Sequence, residues 1–246
     1  MKKIVVGNWK QNPERLSEAK KIALSVDKLT GKLTSEVVVC LPYIFFPACS
    51  SGKKLILGAQ DLSLEKGGAH TGEVSAMQLH SVGARYVIVG HSERRAMGET
   101  SEIVARKALL ALKTKLSPII CIGEKERHHD GEHWPVLARE LHATLIGISK
   151  SQIKNCIISY EPIWAVGKGN SAMKQSDISE SAIFIKKVLA EMYGVKATAR
   201  IRIIYGGSVD TKNAKEIGAV SGISGFLVGR ESLKPNNFAK IAEALG

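Results

Sequence analysis

Apolar residues collect in eight short runs along the chain, at residues 3–7, 37–41, 55–59, 86–89, 118–122, 156–160, 201–205 and 225–228. Most of these runs are continuously apolar rather than alternating, the pattern of strands covered on both faces. Between them, apolar positions recur at helical spacing. Leu16, Ala19, Ala23, Val26 and Leu29 form one such stripe, and Ile178, Ala182, Ile185, Val188, Leu189 and Met192 another. Each has polar residues on its opposite face, as an outer helix requires. Strand and helix patterns alternate from one end to the other, with no Ser/Gly/Pro-rich linker and no low-complexity tract. Eight βα units in about 250 residues suit a closed barrel of eight parallel strands with helices outside. An open doubly wound sheet usually has fewer strands, and no Gly-x-Gly-x-x-Gly turn follows a strand here. The pattern predicts an α/β fold, a (β/α)8 barrel, as one domain over residues 1–246.

Polar groups crowd the carboxyl ends of the strand-like runs. The first leads into Asn8-Trp9-Lys10 and the third into Gln60-Asp61. The fourth ends in Gly90-His91-Ser92-Glu93-Arg94-Arg95, the fifth in Gly123-Glu124 and the sixth in Glu161-Pro162. The seventh ends in Gly206-Gly207-Ser208 and the eighth in Gly229-Arg230. In a barrel that end is the catalytic face. Collected there, a carboxylate, an imidazole, an ammonium and an amide suit proton abstraction beside a carbonyl. A Gly-Gly-Ser turn opening a helix offers backbone N–H groups to a phosphate. Taken singly, each has an ordinary reading as a turn residue, a surface lysine or a structural histidine. Their conjunction points to an enzyme.

Composition changes this picture little. Hydrophobic residues make up 44% and charged residues 24%, enough for a large core. The net charge of +12 raises the question of nucleic acid or membranes. The charges are scattered pairs such as Lys20-Lys21 and Lys186-Lys187, without a run of five or six or interleaved aromatics. A basic surface field, which also attracts a dianionic substrate, accounts for them. No apolar run approaches a membrane span, and the amino terminus is too short in apolar residues for a signal peptide. Cys40, Cys49, Cys121 and Cys156 form no Cys-x-x-Cys pair and read as reduced thiols of a cytosolic protein. His128-His129-Asp130-Gly131-Glu132-His133 imitates a metal cluster, but Gly131 and the following Trp134-Pro135 make it an exposed loop entering a helix. Gly167-Lys168-Gly169 lacks the earlier glycine of a P-loop, since Ile163 stands there. No metal and no cofactor are expected.

Six segments, in order and in register over essentially the whole chain, resemble those of triosephosphate isomerases. They are Gly7-Asn8-Trp9-Lys10, Thr71-Gly72-Glu73-Val74-Ser75, Val89-Gly90-His91-Ser92-Glu93-Arg94-Arg95, Tyr160-Glu161-Pro162-Ile163-Trp164-Ala165-Val166-Gly167, Tyr205-Gly206-Gly207-Ser208-Val209 and Gly225-Phe226-Leu227-Val228-Gly229. The resemblance implies the TIM barrel fold and the interconversion of dihydroxyacetone phosphate and D-glyceraldehyde 3-phosphate in glycolysis and gluconeogenesis. A non-catalytic phosphate-binding barrel is the alternative, and loss of Glu161, His91 or Lys10 would have favoured it. By the resemblance, Glu161 is the base and His91 the electrophile, a neutral imidazole in this family, which is itself the standard illustration of such tuning. Lys10 is the cation that offsets substrate charge, Asn8 the amide beside it, and Glu93 a supporting carboxylate. Ser208, Gly206, Gly207 and Gly229 match the phosphate cradle, joined by the neighbouring Arg230, and Gly167 lies in a lid. A lid of this family is also a standard example of loop closure over a substrate.

The resemblance further implies a cytoplasmic homodimer, joined through loop 62–75, with Thr71 reaching the partner's Asn8 and Lys10. The chain departs from the common family pattern at Lys168 in the lid tip, at Asn170-Ser171-Ala172 in the far hinge, at Gln11 and at Arg230, where glycine is common. The stretch Ala96-Met97-Gly98-Glu99 is one residue shorter than usual. Arg230 can replace glycine only where φ suits an L-residue. Two readings follow: in the favoured one its side chain points to solvent, where Glu231 is available as a partner, while its N–H faces the phosphate; in the other the guanidinium contacts the phosphate or the lid directly.

Overall fold

The computed structural model describes residues 2–49, 54–127, 131–165 and 173–246. Among them the eight expected strands form: β1 (Ile4–Asn8), β2 (Glu36–Cys40), β3 (Ile56–Ala59), β4 (Tyr86–Val89), β5 (Ser117–Ile122), β6 (Ile157–Tyr160), β7 (Arg202–Tyr205) and β8 (Gly225–Val228). They pair in parallel in chain order, and β8 pairs back to β1, which closes the barrel. Each begins and ends within one residue of the run that announced it.

Closure splits the apolar runs into two shells. Ile4, Val6, Val38, Cys40, Ile88, Ile119, Cys121, Ile157, Ile204 and Leu227 form one cluster that fills the barrel. Their neighbours Val5, Val37, Val39, Val87, Ile120, Ile158 and Ile203 belong to a second cluster packed against the helices. Successive strand side chains point to opposite faces, so both faces of every strand are covered. This explains why the runs read as continuous rather than alternating.

The inward parity also aims the chemistry. One step beyond Val6 it reaches Asn8; beyond Ile157 it reaches Ser159 and then Glu161; beyond Ile204 it reaches Gly206; beyond Leu227 it reaches Gly229. The ladder continues far enough to enforce this. The Glu161 N–H donates to the Ile122 carbonyl at 2.8 Å, and the Gly206 N–H to the Tyr160 carbonyl at 2.8 Å. The upper layer of the barrel interior is therefore polar, and it lies at the carboxyl ends of the strands.

Ten α-helical segments surround the sheet among the described residues. These are α1 (Leu16–Thr30), α2 (Phe46–Cys49), α3 (Ala76–Ser81), α4 (Ser92–Ala96), α5 (Ser101–Lys113), α6 (His133–Thr144), α7 (Gln175–Tyr193), α8 (Val195–Thr198), α9 (Ala214–Gly218) and α10 (Pro235–Glu243). The stripe of α1 is rotated from the expected one. Ala19, Ile22, Ala23, Val26 and Thr30 are buried, whereas Leu16 and Leu29 are 46% and 41% exposed. Ile22 joins Ala19, Ala23 and Val26 at spacings of three and four, and the two leucines fall off the edge of that face. A second correction concerns His133, which is not part of an exposed loop. It is the first residue of α6, is buried, and its ring packs 4.2 Å from that of Trp134 at a tilt of 46°. His128 and His129 lie outside the described residues. Among the described residues no metal-ligating group is found, and no helix is long and apolar enough to cross a membrane. All four cysteines are free and buried.

Candidate active site

A cavity of about 430 Å³ opens at the carboxyl ends of the strands, with Asn8, Lys10, His91, Gly207, Gly229 and Arg230 among its walls. These residues come from strands β1, β4, β7 and β8, which the barrel brings together around its axis.

Lys10 has a left-handed backbone, with φ +54, although it is not glycine. Such a conformation costs roughly 1 kcal/mol and needs support from its surroundings. Two side chains give that support. The Asn8 Oδ1 accepts from the Lys10 N–H at 3.0 Å, and the Gln60 Nε2 donates to the Lys10 carbonyl at 2.8 Å. The turn delivers the Lys10 ammonium to Glu93, with Nζ 2.5 Å from Oε1. Asn8 is buried, and its Oδ1 is occupied by that backbone bond, which leaves its Nδ2 as the donor toward the cavity.

His91 caps α4. Its Nδ1 accepts from the Glu93 backbone N–H at 3.2 Å. A ring nitrogen that accepts from an amide carries no proton, so the imidazole is the neutral tautomer protonated on Nε2. That Nε2 lies 3.9 Å from the Oε2 of Glu161. The clamp behind the histidine is Arg95. Its guanidinium donates to the Gly90 and Cys121 carbonyls at 2.9 and 3.2 Å and pairs with Glu140 at 3.0 Å, tying the ends of β4 and β5 to α6.

Glu161 is only 2% exposed. Its Oε1 accepts from the Ser159 hydroxyl at 3.2 Å, while its Oε2 has no hydrogen-bond partner among the described residues. Pro162 restricts the Glu161 backbone to an extended conformation, which fixes the side chain on the inward face. Gly206 makes room for it, because a Cβ there would lie 2.5 Å from the Glu161 Cγ. The Cys121 thiol beside it stays protonated, pushed well up by burial and then by the Glu161 charge.

Gly206 and Ser208 do more than form a turn. The Gly206 N–H is committed to the barrel ladder, so among the cradle glycines this one provides space. The Ser208 hydroxyl donates to the Ala165 carbonyl at 3.0 Å, joining the β7 loop to the start of the next segment. That segment begins with the short helical turn Ile163–Ala165. Trp164 Nε1 donates to the buried Glu124 Oε1 at 3.2 Å, and the Tyr160 hydroxyl donates to the same oxygen at 2.7 Å. Gly167, Lys168, Gly169, Asn170, Ser171 and Ala172 lie outside the described residues.

Arg230 opens a 3-10 turn, Arg230–Leu233, and has no positive φ, as an arginine in this place requires. Its side chain is exposed. The expected pairing with Glu231 does not occur. Glu231 is taken by Lys234 at 2.8 Å and by Asn237 at 2.6 Å, both on its far side along the chain.

The structure thus brings together Asn8, Lys10, His91, Glu93, Glu161, Gly206, Gly207, Ser208, Gly229 and Arg230. Sequence reasoning missed Ser159 and the Arg95–Glu140 clamp. Ser159 had a signal: it is a polar residue inside an apolar run, two positions before Glu161 and hence on the same strand face.

The chain matches the family model described as triosephosphate isomerase over residues 3–245. It is 42% identical over 243 residues to the triosephosphate isomerase of Moorella thermoacetica, covering 97% of this chain and 96% of that one. It is 40% identical to the triosephosphate isomerase of Thermoanaerobacter pseudethanolicus, with 97% of each chain covered. Among solved structures, the triosephosphate isomerase of Bartonella henselae superposes with a TM-score of 0.85 at 32% identity over 99% of both chains.

Proposed function

The chain belongs to the triosephosphate isomerase family, and we propose that its Glu161 carries the proton in the family's reaction. The enzyme interconverts dihydroxyacetone phosphate and D-glyceraldehyde 3-phosphate, a step of glycolysis. In our reading, residues 1–246 act as one catalytic domain, in the cytoplasm, without metal or cofactor.

The observation that carries the assignment is the pairing of Glu161 with a neutral His91 across 3.9 Å. Glu161, as carboxylate, takes a proton from C1 of dihydroxyacetone phosphate. The electron pair of that C–H bond moves into the C1–C2 bond, and negative charge gathers on the C2 oxygen. His91 Nε2–H donates to that oxygen, the Asn8 amide and the Lys10 ammonium face the same charge, and Glu93 holds the ammonium in place. Groups fixed before the charge appears need no reorganisation when it does. The C1 hydroxyl proton passes to the C2 oxygen through His91, which gives its Nε2 proton to that oxygen and takes one from O1. Glu161 then returns its proton to C2. The C1–C2 double-bond pair forms the new C2–H bond, and a lone pair on O1 forms the C1=O bond of the aldehyde. The phosphate rests on the turn Gly206-Gly207-Ser208 and on Gly229 and Arg230, with the Arg230 side chain directed to solvent. By the family resemblance, Gly167, outside the described residues, is assigned to a substrate-binding lid segment. Turnover in D2O should place deuterium on the carbon next to the carbonyl, read by NMR of the product. Product wholly free of deuterium would indicate a hydride shift and remove the base from this scheme.

We also propose a homodimer. Residues 65–73 are all exposed on a loop whose base is closed by the Ser63 N–H donating to the Val74 carbonyl at 2.9 Å. Gly67, Gly68 and Gly72 take positive φ with open space around them, so the loop projects from the body. Met97, 77% exposed, borders it in a groove shared with Glu65, His70 and Glu73. A projecting loop next to an exposed apolar side chain is the kind of surface a second copy covers. Thr71, at its tip, is the residue we assign to the partner's Asn8 and Lys10. Sedimentation at assay concentration should give a dimer, and Thr71→Glu should weaken both association and turnover. A fully active monomer would overturn this part.

A further inference from the structure

The fold gathers cations scattered along the sequence onto one face. In a closed parallel barrel, every connection that enters a strand lies at the end opposite the site. Lys2 enters β1, Lys32 β2, Arg85 β4 and Lys115 β5. Lys150 and Lys154 lie in the connection to β6, and Lys196 and Arg200 in that to β7. All are exposed, and none makes an ion pair among the described residues. No Asp or Glu occurs in residues 31–35, 82–85, 114–116, 145–156, 194–201 or 219–224. Of the acids on the adjoining elements, Glu36 is held by Arg202 at 2.6 Å, and Asp27 accepts from the Lys54 and Leu55 N–H groups. Glu191 and Glu243, in the last turns of α7 and α10, are offset by Lys28, Lys113 and Lys240 in the last turns of α1, α5 and α10.

Two simpler accounts do not cover this ring. Helix carboxyl ends point to this face and favour cations. That explains Lys3, whose ammonium donates to the Ile223 carbonyl at 2.7 Å, and Lys54, which donates to the Gly31 carbonyl; the exposed cations cap nothing. Nor do they steer substrate. A strand of five residues spans roughly 17 Å, about two Debye lengths at physiological salt, so their field is screened before it reaches the site.

We propose that this face docks the enzyme onto an anionic lipid surface. A ring around the barrel end lets all its cations meet a plane at once, whereas a nucleic acid follows a stripe or groove. These connections contain no aromatic residue on which bases could stack. They do expose aliphatic side chains among the cations: Ile146 at 63% and Val195 at 74%. Such side chains have no role against phosphate groups, but they enter a headgroup layer. Loop 62–75 follows β3 at the other end, so the proposed homodimer leaves the face open.

Co-sedimentation with vesicles tests this, using phosphatidylcholine alone or with about a third of phosphatidylglycerol. The enzyme should pellet only with the anionic vesicles and should be released by about 0.5 M salt. Each cation near such a surface strengthens binding roughly fivefold. The variant Lys115→Gln, Lys150→Gln, Lys154→Gln, Lys196→Gln should therefore bind roughly a hundredfold more weakly, with kcat/KM within about twofold of wild type. Neutralising Lys20, Lys21, Arg106 and Lys187, exposed elsewhere on the helices, removes the same charge and should change binding by less than about threefold. Ile146→Ser with Val195→Ser should weaken binding roughly fivefold and keep its salt dependence. Absence of binding to the anionic vesicles would overturn the proposal, as would equal losses in the two charge variants. Duplex DNA bound more tightly than the vesicles at the same salt would show that the occupant is a nucleic acid. Unchanged binding in the Ile146, Val195 variant would likewise remove lipid as the occupant.

Discussion

Glu161→Gln should lower kcat by roughly two to four orders of magnitude, the range for removing a positioned general base. The amide has the shape of the carboxylate, so the gap at Gly206 still holds it and its oxygen still accepts from the Ser159 hydroxyl. What is lost is the ability to take a proton from carbon. The new NH2 group also faces the protonated Nε2 of His91 from the position Oε2 held, replacing an acceptor with a donor. That conflict acts on the position of the imidazole and adds to the loss in kcat. Inorganic phosphate, which in the proposed scheme rests on the turn at Gly207 and Ser208, should bind with an affinity changed by less than about threefold. Steady-state kinetics in both directions, with phosphate as a competitive inhibitor, measure the two effects separately. Turnover within tenfold of wild type would exclude Glu161 as the base.

Much of this site was legible in the sequence because a parallel barrel converts chain order into geometry. Each apolar run ends at the same rim, so the residue after the run is a rim residue whichever strand it follows. Asn8, Glu161, Gly206 and Gly229 were found in this way, and inward parity explains why these positions matter rather than their neighbours. His91 breaks that parity. It sits past the end of β4 and is held by capping α4 instead of by the ladder, so its tautomer depends on the Glu93 backbone N–H and became visible only in three dimensions. The Arg95–Glu140 pair joins α4 to α6 across 45 positions, and no local pattern encodes it. The pairing of Arg230 with Glu231 was expected from adjacency. Glu231 instead reaches Lys234, three positions on at the end of the 3-10 turn, and Asn237 in the first turn of α10, because the chain turns back there from the 3-10 turn into the helix. Leu16 and Leu29 failed for a similar reason. A helical stripe read from sequence is uncertain by about one residue in its rotation, and burial was decided by contact with the sheet.

Lys10→Met should lower kcat/KM by roughly a thousandfold, split between a higher KM and a lower kcat. The methionine keeps most of the length of the side chain and removes only its charge. Two consequences follow. The enediolate loses a cation fixed beside it, an interaction that strengthens as charge develops and so lowers kcat. Glu93 also loses the ammonium 2.5 Å from its carboxylate and is left as an unpaired anion near the path of a dianionic substrate, which raises KM. At an effective dielectric of about 20, one unit charge at 4 Å contributes about 4 kcal/mol, the equivalent of about a thousandfold. The second consequence can be removed on its own. In the double variant Lys10→Met, Glu93→Gln the repulsion is absent, and about tenfold of the lost kcat/KM should return, through KM rather than kcat. Raising ionic strength should narrow the gap in KM between the single and double variants, because the Glu93 carboxylate is 58% exposed and its field is screened. It should leave the loss of kcat relative to wild type unchanged in both variants, because that effect acts on a substrate already enclosed. A single variant within tenfold of wild type would show that the basic field of the whole molecule, rather than Lys10, balances the substrate charge. A double variant no better than the single one would show that Glu93 is not the source of the repulsion.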